Sequence, residues 1–424
     1  MLKSLPAIWR AFFMAQGIIW FRNDLRIRQN ATFNAALNSG IPLIAVCFLD
    51  NRTERLGVFR KTFLEEALSE LSKNLRQFSI PLEIVNGNPQ ETIFSYFNNS
   101  ACSKIFASKG YAQEEQQQEN VLKSLNTIDL QWFDNGFLIP PTRLPFNIDE
   151  LPDTFTSFRK KIEHRGLNNL VEQFFPVEGE VEQGAHTVKA NSKWHPNAAF
   201  AFDGGENAAL KRVKDYLWHS NNILQYKQTR NRLLGTEYSS KFSAWLACGC
   251  ISPNQIYSEI KRFENEVEAN ESTYWLVFEL LWRDYFRYVM LKYGNALFLP
   301  GGIKGEIRLT EPADAEQRFE AWVNGLTGDD FVDANMRELK HTGFMSNRGR
   351  QNVASYLVHR LNLDWRRGAR YFEKMLVDYD VFSNWGNWAY LAGVGNDPRE
   401  NRVFNTQKQA EMYDSDTSYR KTWL

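Results

Sequence analysis

The sequence predicts an α/β domain on a five-stranded, doubly wound parallel sheet, joined by a long connector to an all-α domain. Three observations predict it. Between residues 17 and 134 short apolar runs alternate with helical stretches. From 136 to 205 that periodicity gives way to prolines and glycines. From Glu206 onward apolar residues recur at helical spacing. The expected domains are therefore 15–135 and 206–424, with 136–205 as connector and 1–14 as an N-terminal extension.

The extension, Met1 to Met14, is short, mildly basic and aromatic, and its apolar core is too brief for a signal peptide. Met14 reads as an alternative start. Five runs then read as strands: Ile18–Phe21, Leu43–Phe48, Leu82–Val85, Lys104–Ala107 and Leu130–Phe133. The clearest helix between them is Arg60–Phe78, with Phe63, Leu64, Ala67, Leu68, Leu71 and Leu75 on one face. The first strand leads into Arg22-Asn-Asp-Leu-Arg26 rather than a glycine-rich turn. That excludes the common dehydrogenase and NTPase phosphate loops. Pro140, Pro141, Pro145, Pro152, Pro176 and Pro196 stud the connector, which should lie over both domains. In the last domain, Thr273–Tyr293 and Asn352–Leu363 read as amphipathic helices, and Ala244–Cys248 as a short apolar one.

A chain of 424 residues supports two or three domains. Its 43% hydrophobic and 24% charged content is that of a globular protein without a membrane-length apolar run. Net charge is zero, yet Arg337 to Arg370 carries a local surplus of six positive charges, eight basic against two acidic, which suits phosphate binding. Four cysteines show neither a disulfide framework nor zinc spacing, and Cys248-Gly-Cys250 is too tight for a usual metal clip. A reducing, cytoplasmic setting is expected.

The stretch from Arg337 to Tyr390 sets arginines, asparagines and carboxylates among large aromatics. Buried polar groups cost free energy unless hydrogen-bonded, so this stretch should wrap something flat and polar-edged. A flavin, with nucleic acid over it, fits. Arg350 and Asp378 are placed to pair, Asn384 to meet a ring nitrogen, and Trp365 and Trp388 to pass electrons if they stack. The hydroxyl-rich Gly235–Ser243 segment before an apolar helix reads as a phosphate seat. Glu279 is the odd carboxylate in an aromatic stripe; the structural alternative is a helical pair with Arg283.

Across residues 15 to 424 the sequence resembles the photolyase and cryptochrome family, and within it the DASH cryptochromes. The motifs that carry the resemblance are Tyr238-Ser-Ser-Lys-Phe-Ser243, Glu279-Leu-Leu-Trp-Arg-Asp284, Val332-Asp-Ala-Asn-Met-Arg-Glu-Leu339, Thr342–Val353, Asp378-Tyr-Asp380 and Ser383-Asn-Trp-Gly-Asn-Trp388. The resemblance implies an all-α FAD-binding domain and light-driven repair of cyclobutane pyrimidine dimers, chiefly in single-stranded DNA, by a monomer. By position, it assigns Tyr226, Ser239, Ser240, Lys241, Phe242 and Ser243 to the FAD phosphates. Asn347, Arg350, Asp378, Asp380 and Asn384 go to the isoalloxazine and adenine, with Asn384 at N5. Glu279 and Trp282 would meet the flipped thymines, and Arg348 and Arg402 the lesion's phosphates.

Gln351 and Tyr390 stand where double-strand-active relatives keep Met and Trp. A smaller stacking platform favours a substrate that is already unpaired. Trp388 and Trp365 match the two inner members of the family's electron chain. At the outer position this chain has Glu311-Pro-Ala313, so Trp322 or Tyr371 becomes the expected surface donor. The resemblance also implies a methenyltetrahydrofolate antenna, with Glu114 as its carboxylate partner. Two other readings remain: a blue-light signalling cryptochrome without repair, and a colourless α/β nucleotide-binding module with a helical partner.

Overall fold

The three apolar runs at the sheet centre, residues 43–48, 18–21 and 104–107, are nearly unbroken because both faces of the sheet are covered there. In the computed structural model, which describes residues 16–49, 56–87, 93, 102–124, 128–171, 194–305, 310–399 and 402–424, the strands are β1 Gly17–Phe21, β2 Leu43–Leu49, β3 Leu82–Asn86, β4 Lys104–Ser108 and β5 Asp129–Phe133. The expected extension 1–14 and residues 172–193 of the connector lie outside the described residues. Along β1, Ile19 and Phe21 join one buried cluster while Ile18 and Trp20 join another. That double burial explains the unbroken apolar run. All pairings are parallel, in the order β3-β2-β1-β4-β5.

Parallel pairs need crossovers. Helix α1 (Ala31–Asn38), capped by the Asn30 side chain on Phe33 N, links β1 to β2. Helix α2 (Val58–Arg76) links β2 to β3 and sits two residues earlier than expected at each end. It buries Phe63, Ala67, Leu68, Leu71 and Leu75, and leaves Leu64 only partly covered. Helix α3 (Gln113–Lys123) links β4 to β5.

The connector is more regular than its prolines suggested. Thr154 caps a helix, α4 (Phe155–Arg165), that buries Phe155, Phe158 and Ile162. Spacings of three and four residues carry this amphipathic signal, but it is too short to stand out behind four prolines. Just upstream, the amides of Leu138 and Ile139 both donate to Asp284 Oδ2 at 2.9 Å.

The second domain is helical: α5 (Glu206–Lys214), α6 (Ser243–Cys248), α7 (Pro253–Glu266), α8 (Glu271–Tyr293), α9 (Ala315–Asn324), α10 (Asp330–Thr342), α11 (Asn347–Ser355), α12 (Trp365–Met375), α13 (Val381–Leu391), α14 (Thr406–Tyr413) and α15 (Ser418–Trp423). The helix expected over 352–363 begins five residues earlier, because the Ser346 side chain caps it on Gly349 N. It continues as a π-helical turn, Tyr356–Arg360. Val353 and Leu357 are buried as expected, while Tyr356 and Leu361 are only partly so.

The two domains meet through buried polar contacts. The Glu206 carboxylate at the start of α5 accepts from Ile27 N (3.2 Å) and Arg28 N (2.9 Å) in the loop after β1. From the same loop the buried Arg26 donates to Gly249 O at 2.9 Å.

Candidate functional site

Arg212 of α5 organises the segment before α6. Its guanidinium donates to Ser240 O at 3.0 Å and to Thr236 O and Ser239 O at 3.1 Å. Gathering these carbonyls turns the loop so that Lys241 adopts a φ of +61° and its side chain points inward. Lys241 Nζ then has no hydrogen-bond partner among the described residues and lies over the Tyr238 ring. Burial pulls this amine well below its usual range, with Glu338 acting against that. A buried cation without a partner is costly. An anionic ligand would relieve it.

Lys241 faces a cavity of about 450 Å³ whose wall includes Tyr226, Ser239, Ser240, Phe242 and Ser243. The sequence-assigned phosphate seat is therefore one continuous surface. Deeper in, α11 and the segment before α13 bring Asn347, Arg350, Asp378 and Asp380 to the same wall. Arg350 Nη2 holds both Asp378 oxygens, at 3.0 and 2.9 Å. Asp380 caps α13 by accepting from Ser383 N and pairs with Arg287 of α8 at 2.9 Å. Despite burial, Arg287 and then Arg283 hold its carboxyl below the usual range. An adjoining hollow of about 90 Å³ adds Asn384 and Trp388. Asn384 Nδ2 donates to Ala369 O at 3.0 Å, which leaves its carbonyl oxygen for another donor.

At the mouth of the cavity stand Glu279, Trp282, Gln351, Tyr390 and Arg402. The helical pair with Arg283 does not form. Arg283 Nη1 instead donates to Gly136 O at 2.6 Å, and Glu279 pairs with Arg230 at 2.6 Å. Burial raises the Glu279 carboxyl above its usual range, and Arg230 opposes that. Phe155 of α4 stacks on Trp282 at 3.8 Å, and Tyr390 meets Trp282 edge-on at 5.8 Å. The connector helix thus supports the indole from behind. Arg402 lies over Tyr390, and Arg399, which sequence reasoning missed, joins the rim.

Three expected residues lie outside this wall. Arg348 donates to Asn231 Oδ1 at 3.1 Å and sits over the Tyr413 ring. Glu114 is exposed in the first turn of α3, while its neighbour Glu115 caps that helix. Trp365 donates to Pro300 O and rings against Trp385 at 5.6 Å.

Trp388 meets Phe372 at 5.2 Å and, as its redox-capable ring neighbour among the described residues, Trp322 of α9 at 6.2 Å; Trp322 in turn meets Tyr371 at 5.7 Å. Trp322 is fully buried, so of the two expected surface donors only Tyr371 reaches solvent. Glu311, at the position of the missing tryptophan, accepts from Asp364 N and pairs with Arg367. Nor does the basic run form one patch. Arg337 donates to Gly325 O and Leu424 O, Arg366 holds Asp364, and Arg367 holds Glu316. The missed members Arg212, Arg230 and Arg287 sit far from their partners in sequence; only the isolated Glu279 hinted that a cation was needed.

With this geometry, similarity to known proteins becomes informative. Residues 17–176 match the family described as DNA photolyase, and 275–424 match the FAD binding domain of DNA photolyase. The chain is 43% identical to Cryptochrome DASH of Synechocystis sp., over 96% of this chain and 87% of that one. It is 42% identical to Cryptochrome DASH of Danio rerio, over 96% and 82%. A Synechocystis sp. PCC6803 cryptochrome structure superposes with a TM-score of 0.88 at 42% identity, over 96% and 88% of the chains. A class III photolyase structure from Agrobacterium tumefaciens gives 0.81 at 25% identity, over 97% and 86%.

Proposed function

The chain belongs to the photolyase and cryptochrome family, and on that premise we propose that it is a blue-light-dependent lyase splitting cyclobutane pyrimidine dimers, mainly in single-stranded DNA. The observation that carries the reading is a half-buried carboxylate, Glu279, paired with Arg230 and sharing with Trp282 the wall of a cavity lined for a dinucleotide. The family match to an FAD binding domain and the unpartnered Lys241 amine agree on the occupant of that cavity. Ser239, Ser240 and Lys241 would hold its phosphates, and Arg350, Asp378 and Asn384 its ring system. Bound there, FAD supplies the photoexcited electron that opens the dimer.

The protein's own residues position the lesion. Trp282, stiffened by Phe155, offers an apolar face, and Glu279 accepts from base N–H groups or, when protonated, donates to a base carbonyl. Arg402, with Arg348 at the outer rim, would neutralise flanking phosphates. Flipping a base from a duplex costs a few kcal/mol and stacking returns about 1–3 kcal/mol per base. Tyr390 gives a narrower platform than an indole, which favours unpaired substrate. A folate antenna partnered by Glu114, and action as a monomer in the cytoplasm, belong to the same proposal. No helix among the described residues is long and apolar enough to cross a membrane.

The test is blue-light illumination of the reduced protein with dimer-containing oligonucleotides, single- and double-stranded. Restored thymine in the single-stranded substrate, lost in Glu279→Ala, is the expected result. No restoration in either substrate would turn the assignment to a signalling cryptochrome.

A further inference from the structure

Cys248 closes α6, and Cys250 follows across Gly249, whose φ of +71° lets the chain reverse within one residue. The turn brings the two Sγ atoms to 3.3 Å. This is contact distance, about 1 Å beyond a disulfide bond. Glycine is required between them, because a Cβ at 249 would lie 2.0 Å from Asn23 O. Leu25 N donates to Cys248 O (3.2 Å) and Arg26 Nη1 to Gly249 O (2.9 Å). The turn is therefore part of the seam between the domains.

The two thiols differ in access and in charge. Cys250 is fully buried, whereas Cys248 is partly exposed. Donation from the Cys250 thiol pulls the Cys248 thiol down despite burial, with the Arg60 guanidinium helping, and the same contact pushes Cys250 well above its usual range. Ala244 O and Trp245 O, 3.5 and 3.8 Å from Cys248 Sγ, receive its proton in the thiol form. The described residues hold no cluster of three or more His, Cys, Asp or Glu ligands for a metal. A partly exposed thiol with a lowered pKa, backed by a second thiol in contact, is instead the arrangement of an attacking and a resolving cysteine. The other two cysteines provide internal controls, since burial pushes Cys47 up to about 12 and Cys102 up to about 11.

We propose that Cys248 and Cys250 form a site of reversible oxidation, closed to an intramolecular disulfide by a peroxide. The Cys248 thiolate attacks one peroxide oxygen, the O–O bond breaks, and a proton taken up from solvent releases the other oxygen as water. Cys250 then gives up its proton and attacks the sulfenic sulfur. The S–S bond forms, the S–O bond breaks, and a second water leaves. Two thiols lose two electrons and two protons, and one peroxide is reduced to two waters. Drawing the sulfurs together by about 1 Å must reset the turn, because Cys250 is packed in place. The Cys248 and Gly249 carbonyls shift with it, and the seam at Leu25 and Arg26 loosens. This proposal does not depend on the light-driven reading.

The intact protein is treated with hydrogen peroxide, then unfolded, alkylated and mapped by mass spectrometry. The expected result is a loss of two titratable thiols out of the four in the chain, a Cys248–Cys250 linkage, and full recovery with dithiothreitol. Hydrogen exchange at the Leu25 amide should quicken on oxidation. Cys250→Ser should stop at a dimedone-reactive sulfenic acid on Cys248, and Cys248→Ser should leave every remaining thiol titratable. Four intact thiols in the treated wild-type protein, a sulfinic acid without linkage, or a bridge between molecules would overturn the site. Unchanged exchange at Leu25 in the linked protein would overturn its coupling to the seam.

Discussion

Glu338 shows how one buried residue can tie cofactor chemistry to stability. It sits on α10, within electrostatic reach of Lys241, and shares the Tyr419 hydroxyl with Asn335 at 2.6 and 3.0 Å. One hydroxyl proton cannot serve two acceptors. A protonated Glu338 donates to Tyr419 Oη and frees that proton for Asn335, which satisfies all three groups. Burial agrees, pushing the carboxyl up to about 7 from 4.5. A carboxyl raised in the folded state binds a proton there more readily than in the unfolded chain. Its contribution is therefore full below about pH 4.5 and is lost as the pH climbs through about 7. In flavin-free protein, Glu338→Gln should flatten the fall in stability across that window, as read by denaturant midpoints at its two ends. An unchanged slope would show that Glu338 is ionised throughout.

Among the elements, α9, α12 and α13 hold the ring contacts that lead away from Asn384. Gly368 of α12 has no side chain where Trp388 of α13 lies, and a Cβ there would come within 2.1 Å of the indole. From Trp388 the contacts run to Trp322 and out to Tyr371. Tyr371→Phe should slow photoreduction of the bound flavin several-fold while leaving repair by pre-reduced protein intact. Blue-light bleaching of the oxidised flavin band measures it, and an unaltered rate would place the donor elsewhere, with Trp365 next in line. Strands, α2 and α8 were legible because each carries its own period. The α9–α13 contact was not, because residues 322 and 388 meet only through tertiary packing. The cavity wall at Ser239–Ser243 was legible as a hydroxyl-rich segment before a helix; its organiser Arg212, from another helix, was not. Local spacing records a helix face, but it does not record which distant cation that face will meet.

At the scale of the whole molecule, Phe155 can stack on Trp282 only while the connector is docked. Asp284 does much of the docking. With no exposed surface, it accepts both the Leu138 and Ile139 amides and a longer contact from the Tyr288 hydroxyl at 3.3 Å. Burial raises its carboxyl to about 6, against the pull of Arg283. The prolines of the connector interrupt its periodicity, yet these amides and the helix after them fix it to α8. The motif Glu279–Asp284 therefore serves two purposes that its sequence does not distinguish: Glu279 faces the cavity, and Asp284 faces the connector. Asp284→Ala leaves two buried amides without an acceptor, at about 1–3 kcal/mol each. The variant should unfold in urea at a lower midpoint, with the connector opening first. Protease should then cut between Pro140 and Pro152 before either domain melts, and dimer repair should fall with Trp282 unchanged. Cleavage that appears only together with global unfolding would mean that the connector is held by its apolar contacts and that the carboxylate is dispensable.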